Sequence, residues 1–348
     1  MKNRCLYLVI GLTTLLALVQ AQVAPQTVTA KSASKTQTYT PPRSDDGHPD
    51  LSGFWSNNNA TPLERPKELA GRAMLTDEEL AAMKKKAHEL FGGTGDAAFG
   101  DQVYMTVLAN VLGTKNGFKS TDGETGDYSS VWTVERDWEK RTSLITDPPD
   151  GRLPAVTAEA QKRREAARGG GIIGRADRAQ DRSLSERCIT YGSPQLTAGY
   201  HSYYQLVQTP ESVMVMTEMI HDARKISLNG GPHVSPAIQG WYGDSRGHWE
   251  ADTLVVDTTN YKPRAFMSIS TDKLHVSERF TRSDAETLKY EITIDDPGTW
   301  TKPWSLMIPL RRSAEPVFEY ACHEGNSGLA GILKGARAEE AAASQNQK

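Results

Sequence analysis

The chain has 348 residues, of which 38% are hydrophobic and 24% charged, with a formal net charge of −3. This is a globular composition that excludes wholesale disorder, and it offers no basic excess for general nucleic-acid binding. The length allows one large domain or two modest ones.

Lys2 and Arg4 precede an apolar stretch from Cys5 to Val19, and Val19-Gln20-Ala21 reads as a small-residue cleavage site. The pattern predicts a secretory signal peptide over 1–21, too short for a convincing membrane span and without a lipobox. Localisation is then periplasmic or secreted, with no stable membrane span after cleavage. Cys5 leaves with the signal, so Cys188 and Cys322 remain as an even pair. In an exported protein such a pair predicts one disulfide, with two separate buried thiols as the alternative.

Residues 22–48 are polar, lack apolar periodicity and read as a flexible arm. Structure is expected to begin at Pro49-Asp50-Leu51-Ser52-Gly53-Phe54-Trp55. A helix is predicted over 77–91, because Thr76 and Glu79 form a capping box ahead of the stripe Leu80, Met83, Ala87, Leu90 and Phe91. Residues 92–130 carry few clear signals. A second helix is predicted from Ala158 to Arg168, stopped by Gly169-Gly170-Gly171, a run that lacks the Lys-Ser/Thr of a phosphate loop. The segment 49–200 therefore reads as a helical and loop-rich part, and 334–348 as a frayed helix or tail.

From 201 to 333 the pattern is one of strands. Apolar alternation runs through Tyr203–Gln208, Val213–Ile220, Arg224–Leu228, Gly247–Glu250, Thr253–Thr258, Leu274–Arg282, Thr287–Ile294, Trp304–Leu310 and Val317–Cys322. The connections are too short for helical crossovers, so the sheet is antiparallel. A meander of this length must hide its edges. The expected fold is mainly β, a barrel-like sheet of the calycin or lipocalin type with N-terminal helices and long loops, with a β-sandwich as the alternative.

Period-two counting places Glu278 on the same face as Leu274, Val276 and Phe280. A carboxylate there is either a cavity acid with a raised pKa or half of a buried Glu–Arg pair. The richest polar stretch, His221 to His248, supplies His221 beside Asp222, then Arg224, His233 and Trp241, and Trp249 follows directly. Loops between barrel strands can gather such groups at one cavity mouth. His221 and Glu278 are the candidate proton-transfer groups, Arg224 the anion holder, His233 and His248 further polar contacts, and Trp241 and Trp249 the walls. Trp300 and Trp304 add to the aromatic density. No His-x-His, His-Glu-x-x-His, Cys-x-x-Cys, Gly-x-Ser-x-Gly or Gly-x-Gly-x-x-Gly element occurs. The expectation is accordingly no metal, no organic cofactor, and neither an α/β-hydrolase nor a dinucleotide fold.

Several stretches resemble a large family of exported bacterial proteins. They are Asp50 to Trp55, Ser143 to Arg152, the Gly247-His248-Trp249-Glu250-Ala251-Asp252-Thr253-Leu254-Val255-Val256-Asp257-Thr258 run, Glu278-Arg279-Phe280, Asp295 to Trp304, and Tyr320 to Asn326. The family pattern commonly has Gly where this chain has Ala251. The resemblance implies export and a β-rich fold and names no catalytic residue. The leading functional expectation is an exported, cofactor-independent enzyme, a lyase, isomerase or hydrolase, doing acid–base chemistry on a small metabolite in a barrel cavity. The alternatives are a non-catalytic periplasmic ligand-binding protein and an envelope interaction protein.

Overall fold

The structure, a computed structural model, describes residues 39–92, 100–117, 135–168, 175–196 and 198–345. The expected signal peptide, most of the expected arm and the Gly169–Gly171 run lie outside the described residues. In chain order the elements are β1 (Gly53–Ser56), α1 (Asp77–Phe91), α2 (Gln102–Val111), β2 (Ile145–Asp147), α3 (Ala158–Arg168), β3 (Tyr203–Thr209), β4 (Ser212–Thr217) and β5 (Ala223–Ser227). There follow β6 (Asp244–Glu250), β7 (Thr253–Thr259), β8 (His275–Arg282), β9 (Thr287–Asp295), β10 (Trp304–Ser313) and α4 (Ser327–Gln345).

The strands run β1-β3-β4-β5-β6-β7-β8-β9-β10, and β1 pairs again with β10, closing a nine-stranded barrel. β2 lies outside the ring on β10, where Ser305 faces Asp147 and Leu306 faces Ile145. A ring with an odd number of strands cannot alternate direction all the way round. One joint must be parallel, and it is β5–β6, where Ile226 faces Ser245 and Ser227 faces Arg246. The chain needs residues 228–243 to return for it, as parallel neighbours require. Every other strand pairing is antiparallel, so the β5–β6 joint corrects the expectation of a wholly antiparallel sheet, the long 228–243 connection having room for the return.

Alternation makes the barrel solid. Inward positions bury Trp55, Leu206, Ile226, Leu254, Phe280, Leu288, Ile308 and Trp304, all at 2% exposure or less. Trp300 and Trp304 stack edge-on at 5.6 Å inside this core, so they serve packing. A second apolar cluster joins Met83 of α1 to Tyr104, Val107 and Leu108 of α2. The capping box of α1 is formed: Thr76 accepts the Glu79 N–H, and Glu79 accepts the Thr76 N–H.

Three readings need adjustment. The expected arm is described from Tyr39, and there it is held, with Arg43 paired to Asp252 at 2.6 Å and His48 stacked on Trp249 at 4.8 Å. Val317–Cys322, expected as a closing strand, joins no ladder; β1 takes the place beside β10. The stretch read as a frayed helix or tail belongs to α4, which begins at Ser327. Cys188 and Cys322 are disulfide-bonded with Cα atoms 5.6 Å apart. Among the described residues, no helix is long and apolar enough to cross a membrane.

Candidate functional site

Glu278 sits on the inner face of β8 and is wholly buried. Arg224, from β5 three strands round the ring, donates to it twice, Nη1 to Oε2 at 2.5 Å and Nη2 to Oε1 at 2.7 Å. The Tyr290 hydroxyl also donates to Oε1. Burial works against the Arg224 charge, but the Glu278 carboxylate outweighs it and holds the guanidinium protonated. Burial first, and then the Glu278 charge, push the Tyr204 and Tyr290 hydroxyls well above their ordinary range, so both stay neutral donors. A carboxylate gripped by a two-pronged guanidinium and a phenol is a compensated structural group. The space beside Arg224, Tyr204 and Tyr290 is about 20 Å³, room for one water. The described side chains fill the barrel, and the large cavity lies elsewhere.

That cavity, of about 720 Å³, lies against the ring, walled by the loops at 59–63, 191–200 and 266–267, the start of α2 and Met219. Leu63, Leu144, Leu196, Phe266, Tyr191 and Met267 make it largely apolar, with Asn59, Thr61 and Asp101 as polar points. Tyr191 and Met267 are 45% and 39% exposed, large apolar side chains left open to the space they line. Asp101 accepts the Leu63 N–H at 3.2 Å. Crowding by protein pushes its carboxyl above the usual value, against that N–H bond and the Arg136 charge. Arg136 lies beneath Gly199, where φ is +74° and a Cβ would come within 2.1 Å of the guanidinium carbon. The left-handed backbone there favours glycine, and any side chain would displace the Arg136 guanidinium.

The cavity is flanked by backbone that side-chain-bearing residues rarely adopt: φ is 45° at His201, 62° at Ile220, 47° at Met267 and 57° at Ser268. Such conformations cost about 1–3 kcal/mol each and persist where surrounding structure enforces them, often at functional sites. Beside the lining residues Tyr200 and Met219 stands a histidine–carboxylate pair that sequence reasoning missed. Glu218, 4% exposed, takes the His201 Nδ1 contact at 2.5 Å and the Phe318 N–H at 3.2 Å. The His201 ring lies edge-on to Tyr200 and Tyr320, at 4.5 and 4.7 Å. A carboxylate on Nδ1 sets the proton there and leaves Nε2 as the basic nitrogen, the arrangement a general base requires.

The sequence-predicted residues fall in three places. Arg224 and Glu278 meet in the barrel interior. His221 does not join them: it is exposed on the turn after β4, and its Nε2 accepts the Tyr320 N–H at 2.8 Å. Its neighbour Asp222 turns inward to Thr190, Tyr191 and Tyr242. His233 lies on the barrel's outer face between two carboxylates, Nδ1 to Asp244 at 2.8 Å and Nε2 to Asp257 at 2.9 Å. His275 reaches the other Asp257 oxygen at 2.5 Å, and Arg246 grips Asp244. Among the described residues, no group of three or more His, Cys, Asp or Glu is placed to hold a metal ion. His248 is exposed, 3.3 Å from Glu250. Trp241 lies under the Lys262 ammonium at 5.1 Å, and Trp249 against His48; neither lines the large cavity. His201, Glu218 and Asp101 carried no local signal, because 17 residues separate the first two and Asp101 lies in the featureless stretch before α2.

Comparison of the chain with family models, curated proteins and solved structures found no match in any of the three.

Proposed function

We propose that this is an exported protein, periplasmic or secreted, that binds a small, largely apolar molecule in the cavity against the barrel. The observation that carries this reading is the 720 Å³ apolar space ringed by open Tyr191 and Met267 and by strained backbone. Export is supported by the N-terminal pattern of charge, apolar stretch and small residues, and by the Cys188–Cys322 bond. The test is titration of the full chain with the neutral fluorophore N-phenyl-1-naphthylamine. Saturable binding is expected in the wild type and loss of it in Ala198→Trp, which fills the cavity. Equal binding by the two proteins, or none by either, overturns the reading.

His201 and Glu218 favour a second reading, in which the bound molecule is turned over by acid–base chemistry without an organic cofactor. His201 Nε2 would take or give the proton and Glu218 would hold the ring. The first probes are 4-nitrophenyl acetate and simple aryl lactones. Hydrolysis lost in His201→Gln, with fluorophore binding retained, supports turnover by this pair. Binding without hydrolysis, or hydrolysis untouched by the substitution, leaves the protein a carrier.

A further inference from the structure

The loop 260–270 has two sides. Phe266 and Met267 face the apolar cavity, whereas Arg264, Ser268 and Ile269 line a separate space of about 240 Å³ with Arg163 and Ala166 of α3, Arg175 and Asp181. Three guanidinium groups border this small space against one carboxylate. Like charges held together in a partly desolvated pocket repel one another unless something negative enters.

The carboxylate is already engaged. Asp181 is 9% exposed at its side chain, lies 3.6 Å from Arg175 Nε and 3.8 Å from Arg178 Nε, and accepts the Arg178 N–H at 3.0 Å. Arg175 also leans on Asp177 at 3.3 Å. Arg163 is anchored by Nη2 to the carbonyls of Gly298 and Ile269, at 2.8 and 3.3 Å, and to Thr299 Oγ1. Among the described residues its Nε is buried without a hydrogen-bond partner. An unanswered buried guanidinium N–H is costly, and it marks a place where an acceptor is missing.

Arg264 and Ser268 complete the donor set. Among the described residues, neither side chain has a hydrogen bond or ion pair. Both sit on left-handed backbone, with φ of 70° and 57°, held by the Arg264 N–H to Ser270 O bond and the Phe266 N–H to Ser270 Oγ bond, at 2.8 and 3.0 Å. The chain accepts strain and leaves these donors unused at the same place. Planar guanidinium forks match the paired oxygens of carboxylates, sulfates and phosphates, and a space of about 240 Å³ has room for a compact anion.

We infer that Arg163, Arg175, Arg264 and Ser268 form a binding site for a small oxyanion, either a free inorganic ion or the anionic end of a larger molecule. The inference is independent of what fills the apolar cavity.

The experiment is thermal unfolding of the full chain titrated with sodium phosphate at constant ionic strength, with chloride as the baseline. Wild type is expected to show a saturable rise in Tm. Arg164→Gln, an exposed position of the same helix, keeps the rise. Arg264→Asn, in which Asn tolerates the left-handed backbone, and the exposed Arg175→Gln are expected to weaken apparent affinity by at least about tenfold. If Arg264→Asn fails to fold, Arg175→Gln decides. Repeating the titration with phenyl phosphate separates the two sources. Tighter binding than inorganic phosphate identifies the end of a larger ligand, and equal binding a free ion. No saturable rise with either, or equal responses in wild type and both variants, overturns the site.

Discussion

Arg224 and Glu278 come from strands three steps apart in the ring, and each is tolerable in the interior only because of the other. Arg224→Met strands a carboxylate in an apolar barrel and is expected to destabilise by about 3–5 kcal/mol. Adding Glu278→Leu is expected to restore most of that loss. Urea unfolding measures both, and a double variant as unstable as the single one would show that packing and not charge explains the cost. On the outer face the charges answer to pH. Burial raises the Asp257 carboxyl, but the contacts with His275 and His233 outweigh it and hold the group below its usual value; at Asp244, His233 and Arg246 do the same. A carboxylate with a lower pKa folded than unfolded stabilises above about pH 4 and loses that contribution as pH falls through the folded value. The stability penalty of Asp257→Asn is therefore expected to be largest near neutral pH and to shrink on acidification; a penalty flat with pH contradicts the assignment. The burial of Glu278 was legible from alternation alone. Its partner was not, since Arg224 lies 54 positions earlier and only the curling of the sheet across β6 and β7 brings the two side chains together. His201 and Glu218 were illegible for the same reason.

Among the elements, α1 lies where its capping box and apolar stripe put it, α3 spans the predicted Ala158 to Arg168, and the strands from β3 to β10 follow the alternation to within a few residues. Period and turn chemistry are local properties, so a linear reading finds them. α2 escaped because Gln102–Val111 is rich in Val, Tyr, Met and Thr and has no side-chain cap, so its helical state rests on packing Tyr104 and Val107 against α1. Val317–Cys322 shows the converse: alternation is present, but the closed ring has no open edge to receive it. One glycine has a duty of its own at this scale. Gly247 lies on the inner face of β6, where a Cβ would come within 2.7 Å of Leu228 Cδ2 and 2.8 Å of Ile226 Cγ2. Those residues belong to the parallel joint and its exit, so Gly247→Val is expected to cost about 1–3 kcal/mol by overpacking. Thermal unfolding checks this, and an unchanged Tm would mean that the joint can spread.

At the scale of the whole molecule, the disulfide ties the chain after β10 back to the segment before β3, across a sequence separation of 134. Contacts of His221 with Tyr320, Glu218 with Phe318 and Arg337 with Asp177 and Ala176 support the same attachment. Reduction is expected to lower stability by roughly 2–4 kcal/mol and to speed hydrogen exchange over 314–345 while β7, β8 and β9 stay protected. Loss of protection throughout the barrel would show that the bond supports the ring itself. The sheet was legible as antiparallel, which misses the parallel β5–β6 joint, and as in need of closure. The identity of the closing strand was not, because β1 has only four residues and lies among loops and helices. That seam has a consequence for how the protein is made. β1 is the first strand to be synthesised, and its two neighbours are β3 and the last strand, β10, with Phe54 facing Ser313. The barrel therefore cannot shut until the ribosome has passed residue 313, and any chain ending earlier presents open strand edges that invite pairing with other molecules.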